Sequence, residues 1–386
     1  LAVNGLRGEI KQANTYYEDP YDSFGAFDYV LANPPFNVDD VSLSSVEKDR
    51  RFNTYGIPRN KSKVKKADEG KETVPNGNYL WISLFATSLK PQGRAALVMA
   101  NSASDARHSE ADIRKTLIEQ NLIYAMLTLP SNMFYTVTLP ATLWFFDKAK
   151  NDDRILFIDA RNIFTQIDRA HREFSEEHIQ NIAVISHLHK GQREKFIRLI
   201  DRYFAAGMER LIENNEKIEP VCAQLLDVLD DAGGKQAVEE LLRHWRELDK
   251  LQIHYVQYQE GHAFTVAIDR KNKAQQQLRN AFDPFFSALH EGLKRLDKNV
   301  RQHEKQQTEQ AQQEGKRNST DRRTKALKTA LEELHQDMKN AEIYFQHIHW
   351  LQERFPNAQY EDVTGQCKLA TPEEIKEQDY SLNPSA

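Results

Sequence analysis

The chain has 386 residues, enough for two or three domains with a sizeable core, and a formal net charge of −5. Its two cysteines, Cys222 and Cys367, fit no disulfide or metal-ligand spacing, which matches a reducing compartment. No apolar run approaches the ~20 residues that span a bilayer, and no secretory signal is visible, so a cytoplasmic protein that neither crosses nor anchors in a membrane is expected.

Up to about residue 160 the pattern alternates between short apolar runs and helical spacings. Gly8 to Ala13 reads as a strand, followed by Asn14-Thr15-Tyr16-Tyr17 and a turn-rich stretch to Gly25. Phe27 to Ala32 is a short apolar run of the kind a buried parallel strand uses, and it stops at Asn33-Pro34-Pro35-Phe36. Two prolines there remove two backbone donors and fix φ, so neither sheet nor helix can continue. Residues 37 to 77 show no sustained period. From Asn78, read as an N-cap, the spacing Leu80, Leu84, Phe85, Leu89 predicts a helix ended by Pro91-Gln92-Gly93. Arg94 to Ala100 reads as a second buried strand, and Ile113, Leu117 and Ile118 mark the next helix. Ile123 to Leu129 and Thr142 to Asp147 are two further strands. Only about a dozen residues separate them, too few for a helical crossover, so they should pair antiparallel. Ile155 to Ala160 is expected to form the edge strand.

Beyond residue 175 strand signals almost vanish. In the stretch 325–355, Leu327, Leu331, Leu334, Met338, Ala341, Phe345, Ile348 and Phe355 largely keep the four-three step of a heptad seam. A second helical stretch, 236–256, carries Leu241, Trp245, Leu248, Leu251 and Val256, and is one candidate to cover that seam. Residues 301–324 are polar and charged around a Gly-Lys-Arg-Asn-Ser break, as for a solvated helix end and hinge. The predicted fold class is α/β, with an antiparallel hairpin closing a mostly parallel sheet, followed by an all-α, coiled-coil-like region. The expected boundaries are 1–165, 166–359 and 360–386.

The loop at 33–36 is the segment best suited to chemistry, because ligands of open α/β sheets gather at the carboxyl ends of parallel strands. The Asn33 carboxamide oxygen can accept one N–H of an aromatic amine and the Pro34 carbonyl the other. Phe36 can stack on the ring, as enzymes do with a base taken out of the duplex. Nothing more than positioning an amine nitrogen in line with an electrophilic methyl group is then required. A lone Asn-Pro-Pro is otherwise a common turn opener.

An N-P-P-F segment after a strand resembles the catalytic motif of amino-methyltransferases that use S-adenosyl-L-methionine, especially the adenine-N6 DNA enzymes. The motif also marks RNA adenine or guanine methyltransferases and glutamine methyltransferases of release factors. The run N-P-P-F-N, the helix from Asn78, RAALVMAN, AMLTLPSNMF and TLWFFDK together look like the modification subunit of type I restriction–modification systems. The tail from Cys367 to Thr371 and from Asp379 to Pro384 is similar to that family's C-terminal signature. The resemblance covers about 1–185 and 360–386 well. It implies a Rossmann-like sheet of which this chain holds the C-terminal portion. Asn33, Pro34, Pro35 and Phe36 then form the catalytic loop, and Asn14, Thr15 and Asn33 touch the cofactor. The implied partners are double-stranded DNA and the specificity and restriction subunits of a hetero-oligomer.

The family's glycine-rich cofactor loop is absent from the sequence, as is the acidic residue for the cofactor's ribose. In the family sheet two more strands lie between the strand expected at 8–13 and that at 27–32. Without them the strand at 27–32 should expose an apolar edge. The expectation is that residue 1 is not the biological start and that these 386 residues alone are not an active methyltransferase. The alternatives are an amino-methyltransferase acting on RNA or protein and a non-catalytic assembly module.

Three weaker signals remain. Arg59, Lys61, Lys63, Lys65 and Lys66 form a basic run with no acid among residues 59 to 66, readable as a solvated charge run or as phosphate contacts beside the target base. Asn132 to Tyr135 follows a strand end and reads more readily as packing than as cleft lining. His187 and His189 lack a nearby third ligand, so no metal site is assigned.

Overall fold

The structure, a computed structural model, describes residues 4–60, 72–134, 140–229, 231–262, 267–313 and 322–384. Contacts divide the chain into two compact units, one of residues 1–182 and 361–386 and one of residues 183–360.

In chain order the first unit contains β1 (Phe27–Ala32), α1 (Leu43–Val46), α2 (Arg50–Asn53), α3 (Asn78–Thr87) and β2 (Leu89–Ala100). A 3-10 turn (Asn101–Asp105) leads to α4 (Ser109–Glu119), β3 (Ile123–Thr128), β4 (Ala141–Asp147) and β5 (Ile155–Asp159). A small ribbon of β6 (Thr165–Gln166) and β7 (Arg172–Glu173) precedes α5 (Glu176–His189), within which the second unit begins. Four long or medium helices, α6 (Arg193–Val228), α7 (Ala232–Trp245), α8 (Glu247–Gly261) and α9 (Ile268–Gln313), then α10 (Arg322–Arg354), make up the rest of that unit. The chain returns to the first unit with β8 (Cys367–Ala370) and α11 (Pro372–Glu377).

The main sheet has the order β1-β2-β4-β3-β5-β8. β1 is parallel to β2 and β3 to β5, while β4 runs against both β2 and β3 and β8 against β5. Four of the six strands therefore point one way. The predicted antiparallel pairing of the third and fourth strands is present, with Met126 opposite Trp144 and Leu127 opposite Leu143. Trp144, Leu97, Met99 and Ile123 form the core of the sheet with Tyr79, Ile82 and Leu117 from α3 and α4.

Five readings need correction. Gly8 to Ala13 is not a strand: among the described residues it has no pairing partner, and Ile10 is 84% exposed, so its one large apolar side chain finds no core there. β1 is parallel but not buried, with Tyr29 and Leu31 at 75% and 85% exposure: among the described residues it pairs on one side only, which is the exposed apolar edge expected of it when two neighbouring strands are absent. α3 begins at Asn78 with Gly77 as its N-cap and ends at Thr87, ahead of Pro91-Gln92-Gly93, which lies inside β2. The register runs from Phe27 opposite Leu89 to Tyr29 opposite Arg94, so a bulge takes up the extra residues and Pro91 need not donate to the ladder. Gly93 packs so closely on β1 that a Cβ there would lie 2.9 Å from the Phe27 carbonyl oxygen. β5 is not the edge strand, since β8 covers it, with Ile155 opposite Ala370 and Ile158 opposite Cys367. Finally, the stretch 236–256 is two helices, α7 and α8, and both pack on α9, leaving the heptad seam to other partners.

All eight seam residues are buried. α10 lays them against α6 and α9. Phe345 stands at the centre, its ring 4.5 Å from that of Phe282, 4.9 Å from Phe286 and 6.0 Å from Phe204. It comes so near α6 that a Cβ on Gly207 would lie 2.5 Å from its ring. Residues 301–313 continue α9, and the Gly-Lys-Arg-Asn-Ser break lies outside the described residues. Among the described residues no helix is long and apolar enough to cross a membrane.

Candidate active site

Asn33 to Phe36 leave the carboxyl end of β1. The Asn33 side chain is exposed, and among the described residues nothing hydrogen-bonds to it. Pro34 is buried, Pro35 exposed and Phe36 half-buried. The loop ends at Asn37, which adopts a left-handed φ of 54°, a conformation asparagine tolerates better than most residues. Its backbone N–H donates to Asn78 Oδ1 at 2.9 Å, and its own Oδ1 accepts from Asn78 Nδ2 at 3.0 Å and Asn76 Nδ2 at 3.1 Å. The Gly77 N–H donates to the Val38 carbonyl at 2.7 Å. The loop therefore exits onto the N-terminus of α3.

The segment Asn14 to Glu18 is fastened to the same helix end. Tyr16 packs its ring 4.9 Å from that of Trp81, and its hydroxyl lies over Gly77, where a Cβ would approach it to 2.9 Å. Burial pushes the Tyr16 phenol up to about 12. The Arg51 guanidinium, only 4% exposed, donates to the carbonyls of Thr15 at 3.2 Å and Glu18 at 3.0 Å while pairing with Asp49 at 2.7 Å. Asn14 is turned into its own turn: Oδ1 accepts the Tyr16 N–H and its carbonyl accepts from Tyr17 and Glu18. Thus the structure brings Asn14-Thr15 and Asn33 to Phe36 to one end of α3. Asn37, Asn76 and Arg51 were not singled out as site residues in the sequence, and Asn78 only as a helix start, because the pairings that join them to the loop and to Thr15 span 36 to 41 residues. The local signal that could have pointed to Asn37 is the tolerance of asparagine for the left-handed region.

Among the basic residues Arg59 is described. Its guanidinium pairs with Glu47 at 3.2 Å, and its N–H and carbonyl both bond the Ser109 hydroxyl, at 2.8 and 3.0 Å. Lys61, Lys63, Lys65 and Lys66 lie outside the described residues, as does Tyr135. Asn132, Met133 and Phe134 are half-buried after β3, and the Asn132 carbonyl accepts from Arg172. His187 bonds Gln192 at 2.8 Å.

On the first turn of α4, burial raises the Glu110 carboxyl to about 7, outweighing the nearby Arg114 charge. The folded protein thus holds this proton more tightly than the unfolded chain, so the stability it contributes is full below about pH 4.5 and is lost as pH rises through about 7. Glu110→Gln should therefore unfold at a higher urea concentration than the parent at pH 8 and at the same concentration at pH 4. Equal midpoints at pH 8 would show that the carboxylate is solvated.

A methyl donor needs a cradle of its own, and the described residues do not build one. Residues 4–12 are exposed, and Gly5 and Gly25, both at positive φ, have nothing within 4 Å of a Cβ position. Asn14 spends its carboxamide oxygen on its own turn.

The profile of the N-6 DNA methylases matches residues 2–220, more than half of the chain. The chain belongs to the N-6 DNA methylase family. The chain is 38% identical over 187 residues to the type I restriction enzyme MjaIX methylase subunit of Methanocaldococcus jannaschii, an alignment covering 47% of this chain and 31% of that protein. Against the HindI methylase subunit of Haemophilus influenzae it is 30% identical over 190 residues, covering 48% of this chain and 40% of that protein. The chain thus spans well under half the length of these curated relatives. Among solved structures, the type I restriction–modification methyltransferase subunit from Streptococcus thermophilus aligns with 26% identity and a TM-score of 0.38, covering 45% of this chain and 34% of that one.

Proposed function

We propose that this chain is the acceptor-binding part of a type I modification subunit, and that its complex transfers a methyl group from S-adenosyl-L-methionine to adenine N6 in double-stranded DNA. The partners in this reading are a specificity and a restriction subunit. The observation that carries it is the Asn33-Pro34-Pro35-Phe36 loop of an N-6 DNA methylase, held at the carboxyl end of a parallel strand with the Asn33 carboxamide free in solvent. Asn33 Oδ1 and the Pro34 carbonyl each accept one N–H of the amine, and Phe36 stacks on the extruded base. Drawing both protons toward acceptors takes the nitrogen lone pair out of conjugation with the ring. No residue has to act as a strong base.

The test is transfer of labelled methyl by the assembled complex onto duplex DNA, RNA or protein, followed by hydrolysis. N6-methyladenine from duplex DNA supports the reading. Label confined to RNA or protein would replace the substrate class.

The absence of a donor cradle among the described residues favours one rival, a non-catalytic assembly module, for this chain by itself. The two readings share one expectation: residues 1–386 alone should bind S-adenosyl-L-methionine weakly or not at all, since close backbone approach and ribose contacts are missing. Isothermal titration checks it. Saturable binding at micromolar concentration or tighter would mean that these residues form a donor pocket after all.

A further inference from the structure

The loop's two acceptors are useful only if both meet the same amino group, and prolines alone do not ensure that. Pro34 and Pro35 fix φ, and Pro35 also confines the ψ of Pro34, but ψ of Pro35 stays free and neither proline has an N–H with which to tie the loop down. Upstream, the chain is held by the pairing of Ala32 with Leu97. Downstream the next fixed point is Asn37, and it is fixed by side chains rather than by a ladder. Asn37 and Asn78 exchange two hydrogen bonds, N–H to Oδ1 at 2.9 Å and Nδ2 to Oδ1 at 3.0 Å, closing a ring between residues 41 positions apart. Asn76 adds a second donor to Asn37 Oδ1 at 3.1 Å and accepts the Asn78 N–H at 2.8 Å, which ties the ring to the first turn of α3. Asn78 is 3% exposed, so the ring is shielded from competing water on its helix side. Four residues, 33 to 36, therefore span two anchored points.

We infer that Asn37 and Asn78 form a positioning clamp for the acceptor loop, setting the relative direction of Asn33 Oδ1 and the Pro34 carbonyl without touching the base. The inference rests on the methyltransferase reading above. Loosening the clamp leaves the base able to enter the site but misaligns its amine. A displacement of ~1 Å in such a site costs on the order of 100-fold in rate. The expected signature is therefore a loss in kcat with little change in KM.

The test uses the assembled methyltransferase carrying Asn78→Ala, Asn37→Gly or Asn33→Ala. Asn78→Ala should lower kcat about 10- to 100-fold, with KM for DNA changed less than about threefold. Fluorescence of 2-aminopurine at the target position should still rise on binding, because extrusion of the base does not need the clamp. Asn37→Gly keeps the left-handed backbone and the N–H bond to Asn78 but removes the doubly bonded Oδ1, so it should give a smaller loss in kcat alone. It also carries the test if Asn78→Ala fails to fold, since Asn37 is exposed. Unchanged kcat in a folded clamp variant, or a loss that appears in KM and in the 2-aminopurine signal instead, overturns the clamp. If Asn33→Ala also keeps full activity, the catalytic reading of the loop itself fails. If Asn33→Ala is inactive while the clamp variants are normal, only the clamp fails.

Discussion

Asn33→Ala is expected to lower methyl transfer by at least about 100-fold in the assembled complex, the size of effect seen when one oriented acceptor or donor is removed from a reacting centre. Duplex binding and the unfolding curve should stay close to the parent's. The asymmetry follows from the surroundings: the Asn33 side chain is exposed and makes no hydrogen bond among the described residues, so truncating it removes nothing from the fold. Phe36 differs. It is half-buried, so Phe36→Ala should weaken capture of the extruded base by roughly 1–3 kcal/mol through lost stacking and also lower stability slightly. Single-turnover methylation with base-analogue fluorescence separates the two. Near-normal turnover in Asn33→Ala would return the loop to an ordinary turn.

The second large effect is expected in the helical unit. Leu334 and Phe345 are both buried, and Phe345 is ringed by Phe204, Phe282 and Phe286 with Gly207 directly beneath it. Phe345→Ala alone should cost about 3–5 kcal/mol, the range for truncating a packed core phenylalanine. Replacing both residues by aspartate places two carboxylates in buried apolar positions of the seam, at several kcal/mol each. Typical domain stabilities are only about 5–15 kcal/mol. Circular dichroism of the double variant should therefore show residues 183–360 largely unfolded. Had the seam been a docking face for another subunit, the same variant would stay helical and lose only its partner. A folded double variant would mean that α10 does not pack on α6 and α9 as described.

What could be read from the sequence divides by distance along the chain. The loop at 33–36 was legible because prolines act locally, and the β3–β4 pairing because a dozen residues leave one geometry. The heptad of α10 was legible as a buried stripe, since its period is internal to one helix, but its cover was not. The stretch 236–256 had the right composition, yet α6, with Gly207 making room for Phe345, is what meets it. Pro91-Gln92-Gly93 misled because a helix stop and a strand bulge share those residues, and only the partner strand decides between them. The strand expected at 8–13 failed for want of a neighbour, which no local pattern reveals. The ring of Asn37 and Asn78 was invisible for the same reason.

The tail strand β8 gives the chain a particular topology: the sheet is left after β5 and rejoined only after the whole helical unit. Closing a loose loop of that length would cost about 2–3 kcal/mol more than closing one of ten residues, at ~0.6 kcal/mol per doubling. The helical unit removes most of that cost from the sheet. At its start, Arg193 donates to the carbonyls of Asn357 at 2.9 Å and Ala358 at 3.0 Å, while Asn272 and Gln276 hold the Pro356 carbonyl at 2.7 and 2.6 Å. Once these bonds form, the exit of the unit lies beside its entry, and β8 reaches β5 at the high effective concentration of a short connection. The bundle is in this sense the turn of a very long hairpin, with Arg193 fastening its two ends.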